Sequence, residues 1–302
     1  MTAHPLKTLG RAAALLLATA SLPACAQTAP RSANDADPAL WVVKDQDTTI
    51  YLFGTVHVLK PGLTWFDEAV KTAFDKSDTL VLELVMPDTA TMQGLVQAKG
   101  ANPTGPTLTE RLPADKRPVF IKAVTDLGLP ATALDRVKPW LAATTLSVVP
   151  LGKLGYDQAN GPEEVLTTAA KAGNKRIEGL ETAEQQLGYF AGLSDTAQLS
   201  FLTSTLDELP KLGSTMSEMV DDWAAGDPDK LAKLLNEDLK TTPELGKVLL
   251  ADRNARWAKW IEARMAKPGT VFVAVGAGHL AGSESVQAML AKDGVKATRI
   301  AY

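Results

Sequence analysis

The 302-residue chain has a net charge of −4, is 45% hydrophobic and 22% charged, and contains a single cysteine. It is long enough to bury a sizeable core, and it lacks both the basic balance of a nucleic-acid binder and the charge density of a disordered tail. With one cysteine, an internal disulfide and any Cys-based metal site are excluded.

Residues 1–26 read as a secretory signal peptide. His4, Lys7 and Arg11 precede the apolar run from Ala12 to Ala20, which is too short to be a permanent transmembrane helix, and small residues follow. Ala24-Cys25-Ala26 suits cleavage after Ala26, whereas Leu22-Pro23-Ala24-Cys25 resembles a lipoprotein box that would make Cys25 a lipid anchor. Both routes export the chain, to the periplasm or to the periplasmic side of a membrane. Residues 27–39, rich in Ala, Ser, Asp and Pro, read as a flexible linker, and a single domain is expected over 40–302.

Two strand-like runs, 40–45 and 48–53, flank Asp45-Gln46-Asp47 and predict a hairpin. The second run leads into Gly54-Thr55-Val56-His57. Helical spacing follows over 64–74 with Thr64 as N-cap, then a strand over 79–85. Glu83 interrupts that apolar strand, where a buried carboxylate is costly unless it is paired, hydrogen-bonded or bound to metal. From about 87 to 267 the pattern is helical, with pieces at 113–127, 138–149, 162–172, 183–193, 195–209, 214–225, 228–237 and 242–265. Residues 175–181 form a candidate strand returning to the sheet. The chain ends as strand 270–275, Gly276-Ala277-Gly278-His279, helix 283–292 and strand 295–300. The expected fold class is α/β: one mixed central sheet built from the N- and C-terminal parts, with a large helical insertion.

The sequence has three histidines. His4 lies in the leader, so both others end a Gly-x-x-His turn after an apolar strand. Those turns bring His57 and His279 to one sheet edge, where open α/β folds bind ligands. With Glu83 they make a candidate metal site with positions open for water. The rival chemistry uses one histidine as general base, oriented by Glu83, with an arginine or lysine at the oxyanion. Glu181 reads either as a second site carboxylate or as an acid favoured near a helix start. Arg253 and Asn254 share a helix with Trp257 and Trp260, where a surface ion pair is the plain reading, yet this helix leads directly to the second histidine strand. Tyr156 and Asp157 read equally as site or turn residues. Trp140, Trp223, Trp257 and Trp260 read as core or as the lining of a hydrophobic cleft.

Together these residues resemble the TraB/PrgY/GumN family, which includes the TIKI Wnt-inactivating metalloproteases. The resemblance rests on Trp41 with Tyr51 to His57, Leu80-Val81-Leu82-Glu83, Lys138-Pro139-Trp140, Gly155-Tyr156-Asp157, Gly179-Leu180-Glu181-Thr182 with Gln185, Arg253-Asn254, and Gly276 to Gly282. It implies a fold related to erythromycin-esterase-like and ChaN-like proteins. It also implies a metal-dependent peptidase in which His57, Glu83 and His279 are metal ligands or catalytic groups, supported by Arg253 and Glu181. The metal would be divalent manganese, cobalt, zinc or iron, and the partner a peptide or protein substrate. Two alternatives stand beside this expectation: a binding or sequestering protein for peptide, haem or iron, and a metal-independent esterase.

Overall fold

The computed structural model describes residues 34–302, apart from the side chains of 235–241. The expected leader 1–26, with Cys25, and residues 27–33 of the expected linker lie outside the described residues.

The hairpin forms where the alternation places it. β1 (Leu40–Lys44) pairs antiparallel with β2 (Thr48–Thr55), and Asp45 Oδ1 accepts the N–H groups of Asp47 and Thr48 at 3.1 and 2.8 Å. In chain order the other strands are β3 (Thr79–Leu84), β4 (Arg176–Glu181), β5 (Gly269–Gly276) and β6 (Thr298–Arg299). They form a six-stranded sheet in the order β4-β3-β5-β2-β1-β6. The four strands β4, β3, β5 and β2 run parallel, while β1 runs antiparallel to both β2 and β6. This is the expected mixed α/β sheet. β4 is the candidate returning strand, so the insertion supplies an edge strand as well as helices.

Both faces of the sheet are covered, which explains the nearly continuous apolar runs. Leu40, Phe53, Leu80, Leu82 and Phe272 pack with Trp65, Phe74 and Trp223 on one face. Ile50, Leu52, Val81, Val271 and Val273 pack with Trp257, Ile261 and Leu290 on the other. A third cluster, including Leu108, Phe120, Leu146 and Leu202, lies within the insertion. Trp140, Trp223 and Trp257 are therefore core residues, and Trp260 packs partly buried against the second face.

Several local expectations need correction. The helix expected from Thr64 begins at Glu68 (Glu68–Lys76), because Thr64 exchanges backbone hydrogen bonds with Asn34 and Ala36 and Trp65 turns inward to stack on Phe53 at 5.6 Å. The end of the stretch read as linker is part of the fold, with Ala36 and Ala39 buried and the Asp37 N–H donating to the Ala224 carbonyl at 2.8 Å. The helix expected over 242–265 is broken into Pro243–Gly246, a π-helical turn Lys247–Ala251, and Asp252–Met265. Among the described residues, no helix is long and apolar enough to cross a membrane.

Candidate functional site

The parallel register of β2 and β5 sets Gly54 opposite Val275 and Thr55 opposite Gly276, so the two Gly-x-x-His turns lie side by side. Gly54 needs to be small here, since a Cβ on it would lie 3.1 Å from the Ala277 Cα. Gly276 faces the site itself. Its N–H donates to Glu83 Oε1 at 2.7 Å, and a Cβ on it would stand 3.1 Å from that oxygen and 3.6 Å from His57 Nε2. One residue without a side chain thus lets a carboxylate and an imidazole approach the same strand end.

Glu83 finds the partners that its position in an apolar strand demands. Oε2 accepts from Arg253 Nη2 at 2.6 Å and from Gln186 Nε2 at 3.1 Å. Arg253 is only 7% exposed, which corrects the surface reading. Its Nε and Nη2 also donate to Glu181 Oε2 at 3.0 and 2.8 Å, while Tyr189 Oη donates to Glu181 Oε1 at 3.1 Å. Capping of the next helix falls instead to Thr182 and Gln185, which form a capping box. Glu181 is thereby placed as the second carboxylate on Arg253.

The third hydrogen-bonding nitrogen of Arg253, Nη1, donates to His279 Nε2 at 3.0 Å and to the Leu249 carbonyl at 3.2 Å. Leu249 lies in the π-helical turn, a distortion that recurs at functional sites. Because Arg253 can only donate, His279 Nε2 is the accepting nitrogen. Its Nδ1–H then donates to Asn254 Oδ1 at 2.6 Å, and Asn254 Nδ2 donates to the Glu284 carbonyl at 2.7 Å. Trp257 packs on the ring, with centroids 4.4 Å apart. Burial, against the pull of Glu83 and with the push of Arg253, lowers the His279 pKa to about 3, so the imidazole is neutral. Burial alone would raise the Glu83 pKa, but the facing His279 and Arg253 bring it down to about 2. With His279 neutral, the charge that matters there is the guanidinium.

His57 is held by a residue that sequence reasoning missed. Its Nδ1 donates to Glu163 Oε1 at 2.6 Å, and the same oxygen accepts from Thr55 Oγ1 at 2.5 Å. Glu163 lies in the first turn of the helix Pro162–Ala172, whose N-cap Gly161 abuts the His57 backbone. A Cβ on Gly161 would come within 2.3 Å of the His57 carbonyl oxygen. The His57 side chain is 67% exposed, where the two cavities meet. Loss of water to the surrounding protein works to lower its pKa, but the Glu163 hydrogen bond and charge, helped by Glu83, push it up to about 9. Tyr156 and Asp157 belong to the scaffold. Asp157 exchanges backbone hydrogen bonds with Leu59 and caps Ala159, which fixes the 158–160 turn against the His57 loop.

The structure thus brings His57, Glu83, His279, Arg253 and Glu181 together and adds Glu163. Two cavities meet at the cluster, of 630 and 370 Å³, and His57, Glu83 and Gln158 line both. The charges are paired: Glu83 and Glu181 accept from the buried guanidinium of Arg253, Arg256 Nη2 stands 3.7 Å from Glu181 Oε1, and Glu163 pairs with His57, although Glu163 Oε2 is buried without a partner. Each imidazole is anchored through Nδ1, as metal-ligating histidines are. Two imidazoles and a carboxylate are donor types that a divalent cation takes. The packing does not gather them: among the described residues no three His, Cys, Asp or Glu side chains close on one point, and Arg253 occupies the accepting nitrogen of His279.

The profile of the TraB/PrgY/gumN family matches residues 39–299, from the residue before β1 to the last residue of β6. The chain belongs to this family. It is 25% identical to YbaP of Escherichia coli over 84% of this chain and 92% of that one, and 23% identical to a Treponema pallidum protein over 82% and 78%. It is also 24% identical to the metalloprotease TIKI homolog of Amphimedon queenslandica, over 86% of this chain and 61% of that protein. No solved structure gives a significant match. The family match spans every residue of the cluster.

Proposed function

We propose that this protein is an exported metal-dependent hydrolase acting on peptide bonds. The observation that carries the reading is a pair of Nδ1-anchored imidazoles flanking a strand carboxylate at the meeting point of two cavities. Similarity to the Amphimedon metalloprotease homolog supports the reaction class, and the signal-like N-terminus supports export to the periplasm, with Cys25 as a lipid anchor if the lipoprotein box is used.

His57, Glu83 and His279 would hold the cation, whose contribution there is Lewis-acid polarisation of the scissile carbonyl. Ligation at His279 competes with its hydrogen bond from Arg253. Glu163 orients His57 and fixes its tautomer, so that Nε2 addresses the cleft. Arg253, braced by Glu181, keeps Glu83 ionised. With His57 protonated and no cation present, the same imidazole is a proton donor to a leaving amine rather than a base.

Purified protein, alongside His57→Ala and His279→Ala, is assayed for bound metal and for cleavage of a peptide library with manganese, cobalt or zinc. Metal content that falls in both variants, with activity lost to chelator, is the expected result. Wild-type content in both would overturn the metal site. A second reading is favoured by the Arg253 to His279 contact: metal-free hydrolysis by the His57–Glu163 pair, with Arg253 as the cation. Activity that survives strong chelators selects it. A Glu83→Gln protein that binds and processes peptide as wild type does would point to a binding protein instead.

A further inference from the structure

We infer that the larger cavity is the specificity pocket of this site and takes bulky, uncharged side chains of a peptide on one side of the bond that is cut; this rests on the hydrolase reading above. The two cavities differ in kind. In the 630 Å³ cavity, Val148, Phe201, Met216, Met219, Leu245 and Leu249 supply much of the wall, and the charged residues, His57, Glu83 and Arg253, belong to the catalytic cluster. The 370 Å³ cavity, on the other side of His57 and Glu83, is lined by Glu163, Glu164, Lys171 and Gln186 besides Val85 and Met86. A chain crossing the shared residues has one side chain in apolar surroundings and its neighbour among polar and charged groups.

Three considerations commit the apolar cavity to peptide side chains. It is continuous with the reactive cluster, since His57, Gly276 and His279 form part of its wall. A charge brought in would lose its water and, away from His57, Glu83 and Arg253, find no partner, whereas apolar surface is stabilised by leaving water. Its volume lies in the range of preformed ligand pockets and exceeds the need of one side chain. The wall residues come from separate pieces of the insertion, the part of the chain least expected to carry over from other members of the family.

The test separates the pocket from the chemistry. Binding of Nile red, a neutral apolar dye, is titrated with the wild-type protein, Val148→Glu, Leu249→Glu and Leu249→Met, with folding checked by circular dichroism. Val148 is 52% exposed, so a glutamate there is compatible with the fold. The dye should bind about tenfold more weakly to both glutamate variants and to the methionine variant as to wild type. In the peptide library, Leu, Ile, Met or Phe at one fixed position beside the cut should be favoured about tenfold over Asp or Lys. Equal dye binding by Val148→Glu and wild type, or cleavage indifferent to that position, overturns the pocket. Dye binding that behaves as expected while no peptide is cut keeps the pocket and overturns the hydrolase. Cleavage without apolar preference does the reverse.

Discussion

Arg253 has the largest share of electrostatic work in the site, because it is the partner of two buried carboxylates and of an imidazole at once. Arg253→Met leaves Glu83 and Glu181 without their charge partner. It should cost about 3–5 kcal/mol at pH 7 by urea denaturation. The two histidines make opposite demands on pH. His279 has a folded pKa near 3 against an ordinary value of 6.5, so the unfolded chain binds the proton in that window and stability falls as pH drops below 6.5. His57 is raised to about 9, so its contribution is complete below 6.5 and is lost as pH rises through 9. Glu83, lowered to about 2 from 4.5, steepens the loss below pH 4.5. Thermal stability of the chelated protein should therefore peak near pH 6.5, with His279→Gln flattening the acid side and His57→Gln the alkaline side. A profile unchanged by either substitution would contradict the assigned protonation states.

At the level of elements, what was readable in the sequence follows burial. A strand covered on both faces is a continuous apolar run, so a lone charge such as Glu83 and a terminal Gly-x-x-His stand out. Arg253 and Glu181 were visible but ambiguous, since a helix surface and a helix start explain an arginine and a glutamate equally well. Glu163 gave no signal of its own, because an acid in a first helical turn already has a sufficient reason in the dipole. Its hint was the neighbouring Gly161, whose bareness has meaning only once the His57 carbonyl is seen against it. Gly161→Ala should push the helix start away from the His57 loop. By NMR titration the His57 pKa should then move down toward 6.5, and activity should fall by about 10- to 100-fold, as loss of an orienting partner does. A His57 titration identical to wild type would show that the Glu163 contact tolerates the shift. The break before Asp252 was illegible for a related reason: Thr242 to Met265 has helical spacing throughout, and the π-helical turn, where the Leu249 carbonyl accepts from Arg253, leaves no mark on that spacing.

At the scale of the whole molecule, the site draws on both ends of the chain and on its middle. His57 and Glu83 come from the first part, Glu163, Glu181 and Arg253 from the insertion, and Gly276 and His279 from the last part. Trp223 ties the insertion to the first Gly-x-x-His turn by donating its Nε1–H to the Gly54 carbonyl at 2.8 Å. Trp223→Phe leaves that buried carbonyl without this donor and should cost about 1–3 kcal/mol in chemical denaturation.

The place of β5 also has a consequence in time. It lies between β2 and β3, pairing Thr48 with Gly269 and Thr79 with Val271, yet it is made long after both, beyond the whole insertion. Until it arrives, two apolar strands have no shared partner and present open edges, and the contacts that complete the sheet close loops of great sequence separation. Such non-local pairing makes folding slow and leaves the growing chain prone to aggregation. A chain stopped before Gly269 should accumulate as insoluble material, and the full chain should depend on a holding chaperone until its C-terminal strand is in place.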